Sequence, residues 1–247
     1  MSPLSLRSRS EEVLKALHLL REGNLRFSQG LRSIETMLSA IRLKDLAENG
    51  QSPFAILVTC SDSRLPAEMV FDRGVGDLFV VRMAGNLITP EVVASIEFAA
   101  TQFKTSLCLV MGHSRCGAMI QAERVLGKGE APATPGLQHL LEKIRTPFEQ
   151  TCHAIQTLEA SGTCKAEDVD FPTALTHFNV HHAVEEILNG SQPLKDLSEA
   201  GSFAVIGAFY DLHTGKVTFL PEGNDERLEA ALLSGEVTVP GLRGSSR

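Results

Sequence analysis

Four short stretches of the chain are apolar almost without interruption: FAILVT (54–59), LFVVR (78–82), LCLVMG (107–112) and FAVIGAFYD (203–211). A half-exposed strand would alternate apolar and polar residues, and a surface helix would interrupt its apolar face every few positions. An unbroken run of this length suits a strand covered on both faces, as in a parallel sheet. The segments between the runs have helical spacing. Thr89 is placed to cap a helix opening on Pro90, with Val92, Ile96, Ala99 and Phe103 along one face. GAMIQAERVL (117–126) reads as a helix, as does a long stretch from about 136 to 160, interrupted at Pro147. Another runs from about 172 to 188 and stops near Gly190. At the front, Ser10 precedes Glu11 and Glu12, and Val13, Leu17 and Leu20 continue a helix to about Phe27. Asp211 to Gly215 turns into KVTFL (216–220) as a hairpin. The expected fold is therefore α/β: a central, mainly parallel β-sheet flanked by helices, with an N-terminal helical arm. We expect one domain over 1–247, with an arm at 1–50, a core at 51–222 and a C-terminal extension at 223–247. Its GLRGSSR end would be frayed.

At 247 residues and 43% hydrophobic, the chain is large enough for such a core. A net charge of −7 argues against a nucleic-acid partner. No apolar run approaches the roughly 20 residues of a membrane span. The first residues, MSPLSLRSRS, lack the apolar stretch of a secretory signal. With five cysteines, an odd number, this points to a reducing, cytoplasmic setting.

In parallel α/β sheets, ligands collect at the carboxyl ends of strands. Cys60 ends the first run, and His113 and Cys116 follow the third in GHSRCG. If these strands are neighbours, two thiols and an imidazole converge, a soft donor set that suits zinc. Three ligands leave a fourth position, which a catalytic zinc gives to a water it acidifies. Asp62, two residues after Cys60, could instead close that position. The competing reading is a cysteine nucleophile, Cys60 or Cys116, with His113 as its base. Cys108 lies inside its run and reads as a small buried hydrophobe, and Cys152 and Cys164 read as structural. His177 and His181 share a helix face at i, i+4, but a packed or solvated face is the simpler reading. His181 and His182 cannot both face one site.

The pair CSDSR (60–64) and HSRCG (113–117) resembles the double signature of the β-class carbonic anhydrases. The similarity continues through EGNLRF (22–27), DLFVVRMAGN (77–86), Asn179-Val180 and VIGAFYDLHTGKVTFL (205–220), or roughly 10–222. The resemblance implies reversible hydration of carbon dioxide to bicarbonate and a proton, with one zinc per chain held by Cys60, His113 and Cys116. It implies that Asp62 orients the attacking water, that Arg64 holds Asp62 in place, and that Asp62 binds the metal only in a closed state. Gln51, nine residues before Cys60, would contact substrate, and Phe79, Ala84 and Phe98 would line an apolar pocket. Family members form dimers or multiples of dimers with the site at the dimer interface, so a homo-oligomer is implied, and the N-terminal helix is a candidate to cross to the partner. Two positions depart from the pattern. Met83 replaces a usual asparagine, and Leu57 replaces the tryptophan of bicarbonate-inhibited members, so the open state is expected at neutral pH. Relatives that hydrolyse carbon disulfide or carbonyl sulfide on the same constellation give the alternative activity.

Overall fold

A computed structural model describes residues 10–31, 40–163 and 165–220. The expected C-terminal extension and Cys164 lie outside them. Five strands form one sheet: β1 (Ala55–Thr59), β2 (Leu78–Arg82), β3 (Leu107–His113), β4 (Ala204–Tyr210) and β5 (Val217–Phe219), in the order β2-β1-β3-β4-β5. The first four are parallel, and β5 returns antiparallel to β4, closing the expected hairpin. β1, β3 and β4 are buried along their whole length, which explains their unbroken apolar text. Alternate side chains serve two cores. Ala55, Leu57, Leu109, Met111 and Ile206 face one side, and Ile56, Val58, Cys108, Val110 and Val205 face the other.

Helix α1 (Glu11–Ser28) lays Val13, Ala16, Leu17 and Leu20 on the first face, and Ser10 Oγ accepts from Val13 N–H at its start. A second arm helix, α2, spans Ala40–Asn49. The single turn α3 (Ala67–Val70) follows β1. Helix α4 (Pro90–Gln102) starts as expected, with Thr89 Oγ1 accepting from Val92 N–H, and it covers the second face with Val92 and Ile96. After β3 come α5 (Gly117–Ala122) with one π-helical turn over Glu123–Gly127, α6 (Pro135–Ala160), α7 (Phe171–Asn189) and α8 (Gln192–Glu199).

Two expectations are corrected. LFVVR reads like a strand buried on both faces, yet β2 lies at the sheet edge and Phe79, Val80 and Val81 are only half-buried. The apolar text is there, but within one chain only β1 pairs with β2, and part of its surface stays open. The long helix is not interrupted at Pro147: α6 runs through it. Proline removes one backbone donor, and Pro147 itself is buried in the helix packing, while Thr151 Oγ1 donates to its carbonyl at 2.7 Å.

Candidate metal centre

The strand order makes β1 and β3 neighbours, with Thr59 opposite Met111. The residues leaving their carboxyl ends therefore meet. Cys60 follows β1, His113 closes β3, and Cys116 is the N-cap residue of α5. All three are buried, and their Sγ and imidazole nitrogen atoms lie within 4.8 Å of one another. Among the described residues, this is the one cluster of three or more such side chains that could hold a metal ion.

The donor set fits a soft metal ion. His113 Nδ1 lies 2.9 Å from the Ser114 carbonyl, which can only accept, so Nδ1 carries the proton. That leaves the Nε2 lone pair free, and Nε2 is buried with no hydrogen-bond partner. An orphaned buried nitrogen is costly unless something binds it. The two sulfurs are driven in opposite directions. Cys60 accepts a hydrogen bond from the Cys116 thiol and, at 3.3 Å, another from Gly85 N–H, so its pKa is lowered. The Cys116 pKa is raised, by its hydrogen bond to Cys60 and by desolvation. A bound cation would relieve that competition, since metal coordination favours the thiolate.

Asp62 stands beside the cluster. Its Oδ2 is 4.0 Å from His113 Nε2, yet both carboxylate oxygens are taken by Arg64. Arg64 Nε donates to Oδ1 at 2.9 Å and an Nη donates to Oδ2 at 2.7 Å, while the Arg64 backbone N–H donates to Oδ1 at 2.9 Å. These bonds, with the side-chain pair foremost, hold the Asp62 carboxyl well below the usual carboxylate range. Arg64 also reaches the Arg115 carbonyl at 3.2 Å, tying the β1 loop to the β3 loop.

The other expected site residues divide into two groups. Ala84 begins the 3₁₀ turn Ala84–Asn86, directly before the glycine that contacts Cys60. Gln51, Phe79 and Phe98 are not brought to the cluster within one chain. Gln51 precedes β1 and lies beyond its amino end, whereas Cys60 follows its carboxyl end, and the five-residue strand alone spans roughly 16 Å. Gln51 instead lines a groove of about 800 Å³ with Leu46, Glu68, Arg73, Leu78 and Phe103. Phe79 meets Phe98 and Phe103 in tilted ring contacts at centroid distances of 6.4 and 6.1 Å on the β2 edge, and Phe98 is 52% exposed.

Three contributors escaped sequence reading. Arg82 pairs with Thr59 in the ladder and donates to the Cys60 and Asp62 carbonyls at 3.2 and 2.5 Å, fixing the loop that carries both. Its place at a strand's carboxyl end was the available signal. Gly85 and Asn179 fall in stretches that resemble the family, but nothing in the sequence pairs the Gly85 carbonyl with the Asn179 side-chain amide. Met83, the departure noted above, keeps its backbone bond to the Thr59 carbonyl at 3.0 Å and packs its side chain against both cores. Among the described residues, His177 and His181 join no cluster that could hold a metal, and His177 is buried and stacked on Phe209 at 4.5 Å. Cys108 is fully buried, and desolvation raises its thiol pKa, in keeping with a core role.

A parallel α/β sheet with a buried Cys-His-Cys cluster at its carboxyl edge defines a class of candidate metalloproteins. Comparison with known proteins narrows the class. A family model described as carbonic anhydrase matches residues 55–217. The chain is 32% identical over 197 residues to carbonic anhydrase 2 of Mycobacterium tuberculosis, which covers 80% of this chain and 87% of that one. It is 28% identical over 226 residues to a carbonic anhydrase of Pseudomonas aeruginosa, covering 89% and 94%. Among solved structures, the β-carbonic anhydrase CafA of Aspergillus fumigatus superposes with a TM-score of 0.61 at 27% identity, covering 90% of this chain and 97% of that one. The fold is also that of tetrameric β-carbonic anhydrases from Sordaria macrospora, at a TM-score of 0.59 and 22% identity, over 75% and 93% of the two chains. The chain belongs to the β-class carbonic anhydrase family.

Proposed function

We propose that this protein is a zinc carbonic anhydrase that interconverts carbon dioxide and bicarbonate, with one zinc per chain on Cys60, His113 and Cys116. The observation that carries this reading is the convergence of three buried soft donors within 4.8 Å while Asp62 is occupied by Arg64. Zinc bound there would act as a Lewis acid and bring the pKa of a water in the remaining position toward neutrality. The chain's residues do the rest. Asp62, kept ionised by Arg64, has acceptor lone pairs to take a hydrogen bond from that water and aim it at the substrate. Arg64 keeps Asp62 from becoming a fourth ligand, which would close the site. Arg82 and Arg64 hold the 60–64 loop by its carbonyls and carboxylate, so the geometry is set before substrate arrives.

Gln51, Phe79 and Phe98 enter this reading through a second chain. They gather at one edge of the sheet, with Phe98 exposed and Phe79 half-buried, where a partner's site could receive them. A homo-oligomer, a dimer or a multiple of dimers, therefore belongs to the proposal. So do a single domain over 1–247 and a cytoplasmic location. Among the described residues, no helix is long and apolar enough to cross a membrane.

The deciding experiment is metal analysis followed by stopped-flow hydration of carbon dioxide, with the same sample tested on carbon disulfide and carbonyl sulfide. One zinc per chain with hydration activity supports the reading. Zinc with turnover only of the sulfur substrates would reassign the substrate. Activity that survives complete zinc removal would restore the cysteine-nucleophile reading.

A further inference from the structure

Residue 85 links three parts of the protein that meet at the metal centre. Its N–H donates to Cys60 Sγ at 3.3 Å, and its carbonyl accepts from Asn179 Nδ2 at 2.9 Å, both in buried surroundings. Its Cα packs against the helix behind Cys116: a Cβ built there would stand 3.1 Å from Ala118 Cβ and 3.4 Å from Met119 Cε. Gly85 also has φ 69°, a left-handed conformation open to glycine at little cost. Within its own segment the turn is closed by one backbone bond, Asn86 N–H to the Met83 carbonyl at 2.8 Å, which leaves the Gly85 carbonyl without a local donor. That donor comes from α7, 94 positions away: the side chain of Asn179, which is 2% exposed.

We infer that Asn179 is a positioning residue for the Cys60 arm of the metal centre: by holding the Gly85 carbonyl, it aims the Gly85 N–H at the ligand sulfur. The inference rests on the proposed metal site and adds a residue that touches neither metal nor substrate. An N–H···S bond drains charge from a thiolate, so its loss changes both how tightly the sulfur holds a cation and the energy of sulfur-to-metal charge transfer. Outer partners of metal ligands typically change affinity by about 10–100-fold when removed.

The test uses cobalt(II) as a spectroscopic probe and zinc affinity by chelator competition, on the full-length wild type, Asn179→Leu and Asn179→Ala. Leucine keeps the volume and removes the donor, and alanine serves if leucine does not fit. Asn24→Ala is the stability control: Asn24 is buried and makes three hydrogen bonds, none near the cluster. The expected result is a displaced thiolate-to-cobalt charge-transfer band and zinc binding weakened about tenfold or more in the Asn179 variants. Asn24→Ala should lose stability with its cobalt spectrum unchanged. Wild-type spectrum and affinity in a folded Asn179 variant would overturn the positioning role alone. So would an equal spectral change in Asn24→Ala, which would reduce the effect to general destabilisation. A wild type that takes up no cobalt would overturn the metal-site reading and this inference with it.

Discussion

His177 is an imidazole the fold keeps neutral, and lowering the pH should expose its cost. It is 5% exposed, stacks on Phe209, and its buried Nε2 has no partner. Burial alone pushes its pKa from 6.5 down to about 4. The unfolded chain, by contrast, takes up this proton near its ordinary value. The contribution is therefore complete above pH 6.5 and is lost as pH falls from there towards 4, where the native state also protonates. At roughly 1.4 kcal/mol per pKa unit, the whole loss is about 3 kcal/mol, most of it gone by about pH 4.5. His177→Phe keeps an aromatic ring on Phe209 and removes the titration. Urea unfolding of both proteins at pH 7.5 and 4.5 isolates the imidazole, since the carboxylates and metal ligands are common to the two. The wild type should lose about 2–3 kcal/mol more than the variant over that interval. Parallel losses would show that the His177 pocket admits water or a counter-charge in acid, and the reasoning from burial would fail.

Cys116→Ala should lose metal and carbon dioxide hydration together, and full zinc content in that variant would remove Cys116 from the ligand set. Asn24→Ala deletes bonds to the Val70 and Gly215 carbonyls and from Val217 N–H. At about 1 kcal/mol each, the cost is about 3 kcal/mol, and calorimetry should show a melting point roughly 6–12 °C lower. Sedimentation of the wild type should give a dimer or a multiple of one, and a fully active monomer would refute the role assigned to Gln51, Phe79 and Phe98.

The strands were legible because β1, β3 and β4 are buried on both faces, and burial leaves no room for polar punctuation. The same rule misplaced β2, since apolar text records that a surface is to be covered but not whether the same chain covers it. The Cys-His-Cys cluster was legible because strand ends and ligand types coincide in sequence at Cys60 and His113. Gln51 matched by spacing alone, and the fold sends it to the far end of its strand. Gly85 and Asn179 lie in stretches that resemble the family, yet their contact was illegible for another reason. One acts through its peptide groups, the other through an amide 94 positions away, and neither residue type announces a ligand. Pro147 carried a valid local preference that the buried packing of α6 overrode.

The Asp62–Arg64 pair bears most directly on turnover. Asp62 sits beside the guanidinium of Arg64 and would have a second cation within reach in the proposed zinc next to His113. Either pairing satisfies the carboxylate, so the choice between them is an equilibrium that one residue can tip. In the wild type, Arg64 offers two side-chain donors in fork geometry plus its own backbone N–H, and the carboxylate turns to it. Arg64→Ala leaves the backbone donor but removes the fork. Asp62 is then free to take the fourth position and exclude water. The variant should keep its zinc, because the three ligands remain and Arg82 and Gly85 still hold the Cys60 loop, while the hydration rate at neutral pH falls by about 10–100-fold. Raising the pH should recover part of that rate, since deprotonated water competes better than neutral water against a carboxylate for the same cation. Arg64→Lys, which restores charge without the fork, should fall between. The measurement is zinc content with stopped-flow rates from about pH 6.5 to 9, a range that brackets the near-neutral pKa of water on a catalytic zinc. A zinc-replete Arg64→Ala protein with wild-type rates throughout would show that the fork has no part in turnover.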